Sequence, residues 1–133
     1  MVDLAQHDGN GPVSRQAIST RQEISADYVA QLFRHLQAAG LVEGVKGPGG
    51  GYRLLRDAAR ISAGDVVQAV EGPVAVVDCT LPCPDEGPFC SRVERCVTHL
   101  LWKRLSDAVT EVLDSVTLQD LADQAQQLAR QEI

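Results

Sequence analysis

A mainly α chain carrying one small β hairpin is what this sequence predicts, and three observations predict it. Two amphipathic stretches, each opened by a serine, stand close together between Ser14 and Ala39. A loop of glycine and proline, Gly47-Pro48-Gly49-Gly50-Gly51, separates two short strand-like runs. From about Arg92 to Val116 apolar residues recur at helical spacing without a breaker.

The first residues, with Val2 and Leu4/Ala5 apolar, read as the end of a helix stopped by Gly9, Gly11 and Pro12. No capping residue precedes it and it is too short to hold alone, so the chain is expected to start inside its first helix. Ser14 caps a second helix through about Arg21, with Ala17 and Ile18 inward. A brief turn at Gln22 and Glu23 follows, with Ile24 as an apolar anchor. Ser25 then caps a longer helix, Ala26 to Ala39, with Tyr28 or Val29, Leu32, Phe33 and Leu36 inward and Gly40 as its stop. Two helices around a tight turn make a helix-turn-helix, a weak signal by itself.

The next segment strengthens it. Leu41–Lys46 and Tyr52–Arg56 are strands flanking the glycine loop, and two helices followed by a basic-edged hairpin make a winged helix-turn-helix over residues 1–71. In that architecture the second helix enters the DNA major groove and the hairpin touches the adjacent backbone or minor groove. Arg34, Lys46, Arg53, Arg56 and Arg60 are then placed to meet phosphates; the plainer alternative for any one of them is a solvated face.

Ser62 and Asp65 have capping-box spacing and open a helix with Val66, Val67 and Val70 inward. Residues 72–91 form a loop in which Pro73, Pro82, Pro84 and Pro88 deny regular structure, so a ligand or partner must impose its shape. Residues 92–133 hold the long helix, with Val93, Val97, Leu100, Leu101, Leu105, Val109, Val112 and Val116 on its apolar positions, and a last helix. At about 24 residues the long helix spans roughly 36 Å, more than a compact winged helix covers, so it is expected to be a dimerisation helix covered by a second copy. Thr117 and Asp120 form another capping box for the last helix, with Leu118, Leu121, Ala125 and Leu128 inward.

Composition excludes several classes. Apolar residues make up 44% and charged residues 23% of 133 residues, which argues against disorder. No apolar run approaches bilayer length and no basic, apolar leader follows Met1, so no membrane partner and a cytoplasmic location are expected. The net charge of −6 looks wrong for a nucleic-acid binder until it is divided: residues 1–60 carry seven Lys/Arg against six Asp/Glu, residues 61–133 five against twelve. The acid sits in the second half, which leaves the first free to face phosphate. No Ser/His/Asp arrangement, no phosphate loop with its lysine and no distinctive carboxylate pair stands out, so an enzyme is not expected.

Between Cys79 and Trp102 the chain packs Cys79, Cys83, Cys90, Cys96 and His99. With no secretory context, such cysteines are ligands or redox thiols sooner than disulfides. Cys96 and His99, three apart, share one face if the helix has begun by Val93, while Cys83 and Cys90 come in from the loop. Sulfur and imidazole suit zinc or an iron–sulfur cluster, and gaps of six and five residues favour the larger cluster over the tight pairs of structural zinc. Thiol redox without metal stays open, and Cys79 is either a fourth thiolate replacing His99 or a plain thiol. Trp102 and Tyr52 read as packing residues.

Ile24-Ser25, Tyr28 to Phe33, Gly40-Leu41-Val42, Lys46 to Tyr52 and Cys96 to Trp102 together resemble the Rrf-type bacterial transcription regulators, and within them the branch that regulates iron–sulfur cluster assembly. The resemblance covers essentially the whole chain. It implies a homodimer held by the long helix, a double-stranded DNA operator as partner, and a 2Fe-2S cluster; zinc stays the alternative metal on the chemistry of the donors alone. Carried over, Cys83, Cys90, Cys96 and His99 match the cluster ligands. Ser25, Asp27, Tyr28, Gln31, Arg34, Lys46, Gly47, Pro48, Gly49 and Arg53 match the DNA-facing positions. A branch that senses nitric oxide takes a carboxylate from near the N-terminus of the partner chain instead of the histidine, and that alternative stays open.

The chain departs from the family's pattern in four places. The family has a basic stretch before the residue matching Met1, whose absence is expected to remove a DNA contact and half a helix. Six residues separate Cys83 from Cys90 where the family has five. Ala30 stands where the assembly branch has a glutamate able to accept from cytosine, and Lys46 replaces the wing arginine, losing its bidentate fork.

Overall fold

The computed structural model describes residues 1–80 and 92–132. Helix α1, Val2–His7, passes through a 3-10 turn at Asp8–Asn10 into α2, Arg15–Gln22, and α3, Ala26–Ala38. Strands β1, Val42–Val45, and β2, Gly51–Leu54, follow, then α4, Ala63–Glu71, α5, Val97–Ser115, and α6, Leu118–Gln131. Among the described residues no helix is long and apolar enough to cross a membrane.

The caps act as their side chains dictate. Ser14 accepts from the amide of Ala17 and Ser25 from that of Tyr28, satisfying donors that a helix start leaves free. Ser62 with Asp65 and Thr117 with Asp120 make both bonds of a capping box. Between α2 and α3, Glu23 takes a left-handed conformation (φ 55°) while its amide bonds the Ser19 carbonyl. The turn of the helix-turn-helix thus holds one residue where glycine would be easier.

The two strands are antiparallel, registered from Val42 opposite Leu54 to Val45 opposite Gly51. Val13 adds a third segment: its amide and carbonyl both bond Tyr52, each at 2.8 Å. The hairpin is thereby stitched to the start of α2. Tyr52 in turn lays its ring against Phe33 of α3, centroids 4.3 Å apart, as the packing reading expects.

Leu4, Val29, Leu41, Val42, Ile61 and Leu118 are the fully buried centre of the core. Of the two residues weighed for the inner face of α3, Val29 is inside and Tyr28 is half exposed. Helix α6 returns to this body, packing on α1 and on the 3-10 turn Ala58–Arg60, with Leu118 and Ala122 buried. The Leu118 amide bonds the Ile61 carbonyl and the Ala63 amide bonds the Val116 carbonyl, clamping the α5–α6 joint to the start of α4.

Two expectations are corrected. Leu128 is exposed, not inward: α1 is about 9 Å long against about 21 Å for α6 at 1.5 Å per residue, so the last turns of α6 outrun the helix they pack on. The long helix begins at Val97, not Arg92. Val93–Arg95 form a separate 3-10 turn and Cys96 is extended (φ −94°, ψ 113°), leaving α5 nineteen residues, roughly 28 Å, long.

Candidate metal centre and nucleic-acid interface

The late start of α5 changes what its donors share. Cys96 occupies the N-cap position and so does not stand with His99 on a helical face, as a helix already formed at Val93 would have had it. Its thiol lies 3.0 Å from the Thr98 hydroxyl. That hydrogen bond first, and then the His99 amide, hold the Cys96 thiol below its ordinary pKa against an opposing effect of burial, with smaller help from the Thr98 amide and the charge of Arg92. A thiol that ionises readily is a better soft-metal ligand and a more reactive sulfur.

His99 lies in the first turn of α5, half-buried, with Nδ1 3.4 Å from the sulfur of Cys79. The described residues thus bring Cys79 and His99 together and leave Cys96 three residues upstream at the helix entrance. Cys83 and Cys90 lie outside the described residues. Among those described, no group of three or more His, Cys, Asp or Glu converges as a metal site. The donors that are described, two thiols and an imidazole around one helix start, are of the type that soft metals and iron–sulfur clusters take.

Position in the fold also sets the other face of α5. Val97, Leu100, Leu101, Leu105, Val109 and Val112 are all exposed, Val97 by 80% and Val112 by 63%. Spaced three and four apart, they form one apolar stripe along the helix. The opposite side meets α4, where Gly64 is buried against Asp114, and carries the buried Ser106.

The candidate DNA-facing residues form two groups. Ser25, Asp27, Tyr28, Gln31 and Arg34 lie on the exposed face of α3, opposite Val29, Phe33 and Leu36; the Ser25 hydroxyl is occupied as a cap. Lys46, Gly47, Pro48 and Gly49 form the exposed tip of the hairpin. Arg56 and Arg60 are exposed beyond it. Arg53 is exposed on β2 but not free, since its Nε donates to the carboxylate of Glu43, its neighbour across the ladder. Sequence reasoning did not find that pair, although opposite charges on facing strands were its signal. It also passed over Arg15, the first residue of α2, which lines a cleft of about 470 Å³ with Gln37, Lys46 and Tyr52 and so adds a cation beside the wing.

The model of the Rrf2 family, described as an iron-dependent transcriptional regulator, matches residues 1–124. The chain is 46% identical over 121 residues to the HTH-type transcriptional regulator IscR of Xenorhabdus nematophila, covering 91% of this chain and 71% of that protein. It is 47% identical over 121 residues to the regulator of the same name from Vibrio vulnificus, covering 91% and 69%. Among solved structures it is similar to T. potens IscR, at 38% identity and a TM-score of 0.73 over 93% of this chain and 78% of that one. It is also similar to CymR, the global cysteine regulator of B. subtilis, at 39% identity and a TM-score of 0.71 over 92% and 86%.

Proposed function

Because this chain belongs to the Rrf2 family of transcriptional regulators, we propose that it acts as a homodimer on a double-stranded DNA operator, its binding modulated by a 2Fe-2S cluster held by Cys83, Cys90, Cys96 and His99. One observation carries the reading: α5 bears the Cys96 and His99 donors at its start and an exposed apolar stripe along its length. A change at the donors is therefore a change at the end of the element that joins two copies.

The polar face of α3, with Tyr28, Gln31 and Arg34, reads the major groove, and Lys46 to Gly49 with Arg53 approach the flanking backbone. The α5 stripe packs on its counterpart and sets the distance between the two α3 helices, so that they meet half-sites about one turn apart. When bound, the cluster supplies a centre that iron supply, oxidants or nitric oxide can alter. The residues around it pass that alteration to α5, and a state that fits the operator better is favoured by the difference in affinity.

Protein purified without oxygen tests this directly. The expected result is a visible chromophore with two irons and two sulfides per chain that is altered in His99→Ala, a dimeric mass, and gel-shift affinity for the upstream region of its own gene that differs between cluster-loaded and cluster-free protein. A colourless protein with stoichiometric zinc, or with no metal at all, overturns the cluster and leaves a zinc or thiol winged-helix protein.

A further inference from the structure

The contact between Cys79 and His99 involves a cysteine outside the proposed ligand set, and the fold holds it in place. The Val76 amide donates to the Ser106 hydroxyl at 3.0 Å, and the Thr80 hydroxyl lies 3.3 Å from the same oxygen while bonding the Val77 carbonyl at 2.7 Å. Ser106 is only 5% exposed and stands seven residues after His99, two turns along the same face of α5. The segment that carries Cys79 is thus pinned to α5 at Ser106 and crosses His99 one residue before its last anchor, Thr80. The sulfur is delivered to the imidazole by packing and not by chance approach of a loop.

A ligating histidine uses one ring nitrogen for the metal, and the other is nearly always tied to an acceptor that fixes the ring and its tautomer. In this chain the tied nitrogen is Nδ1, and the atom beside it is the Cys79 sulfur at 3.4 Å. We propose that Cys79 is the positioning partner of His99: Nδ1–H donates to the sulfur, holding the ring in the tautomer that presents the Nε2 lone pair to the cluster. This rests on the cluster reading above and adds to it a residue that is no ligand. Sulfur is a weak acceptor, so His99 is oriented by packing around Cys79 as much as by the bond itself.

Two measurements test the assignment. In metal-free protein labelled with 15N at histidine, long-range proton–nitrogen spectra of the neutral ring should report Nδ1–H for wild-type His99 and a shift toward Nε2–H in Cys79→Ala. In cluster-loaded protein, Cys79→Ala should keep its two irons but lose them to a chelator about 10- to 100-fold faster, the usual effect of removing an outer partner of a ligand. Cys79→Ser, whose hydroxyl also accepts, should recover part of that loss. In a His99→Ala background, Cys79→Ala should change nothing further.

An Nε2–H tautomer in the wild type overturns the assignment, and so does an iron-loss rate that Cys79→Ala leaves unchanged. An equal acceleration in the His99→Ala background also overturns it, since Cys79 would then act without the histidine. A loaded wild type beside a Cys79→Ala that binds no iron makes Cys79 a ligand and overturns it as well. A wild type that never holds iron instead overturns the cluster reading and the ligand part of this one, while the tautomer still decides whether the two side chains are bonded as stated.

Discussion

Arg21 of α2 donates two parallel hydrogen bonds to Asp3 of α1, Nε to Oδ1 at 2.7 Å and Nη2 to Oδ2 at 2.8 Å. The Asp3 side chain is 5% exposed, so the pair joins the two helices at the edge of the core. Gln22 adds a third donor at 3.3 Å. The helix carrying the first half of the helix-turn-helix is thereby fixed against the N-terminal helix.

The acid side of the stability profile should follow from this pair. The hydrogen bonds from Arg21, opposed by burial and aided by the guanidinium charge, hold the Asp3 carboxyl below the ordinary carboxylate range. A lowered pKa means that the stabilisation is complete above the unfolded value near 4 and is lost as pH falls through the folded one. Asp3→Asn should lower stability at pH 7 by roughly 1–2 kcal/mol, a charged hydrogen bond discounted for the partly exposed guanidinium. Denaturant unfolding at pH 7 and pH 2 checks it. The wild type and variant should converge at the lower pH; a constant gap would assign the loss to shape and not to charge.

Glu43 should restrain DNA binding. It engages Arg53 across the hairpin, with the two side chains 35% and 55% exposed, and a pair that exposed contributes little to stability. Glu43→Gln should leave the melting temperature within a degree or two while raising operator affinity several-fold. The slope of log affinity against log salt should steepen by about 0.9, one phosphate contact. Unchanged slope would show that Arg53 does not reach the backbone.

Gly51 should tolerate no side chain. A Cβ there would run into the Val13 carbonyl, backbone that cannot move without breaking the bonds between Val13 and Tyr52. Gly51→Ala should cost about 1–3 kcal/mol, as overpacking does, and should weaken DNA binding by displacing the wing. Amide exchange at Tyr52 would report the broken bridge; protection equal to the wild type would count against it.

The α5 stripe should be the dimer seam. Leu101 and Leu105 are 55% and 42% exposed in the single chain. The double variant Leu101→Glu, Leu105→Glu should run as a monomer by light scattering with near-native helix content. Its operator affinity should fall about a hundredfold, because two half-sites are no longer held together. A variant that remains dimeric would place the interface elsewhere.

Much of the fold was legible because its signals are local. The bonds of Ser14, Ser25, Ser62 and Thr117 close over three residues, so a capping residue and its helix can be read together. The glycine run between two strand-like segments leaves little but a hairpin. The start of α5 was misread because Val93 fits the apolar period and no breaker marks the extended residue Cys96. Leu128 was misread because periodicity states which face is apolar and not how far the covering helix extends.

What the sequence by itself determined, then, is the order of helices and hairpin, the caps that start them, the amphipathic faces and the clustering of soft donors around the start of α5. Only the tertiary structure decided that Asp3 meets Arg21, that Glu43 holds Arg53, and that Cys79 lies on His99. Asp3 on α1 and Arg21 on α2 are 18 positions apart, and Cys79 and His99 of α5 are 20. Their meeting depends on the angles at which those elements pack, which are set by the summed burial of Leu4, Val29, Ile61 and Leu118 and by the Ser106 anchor, and no short stretch of residues carries that sum.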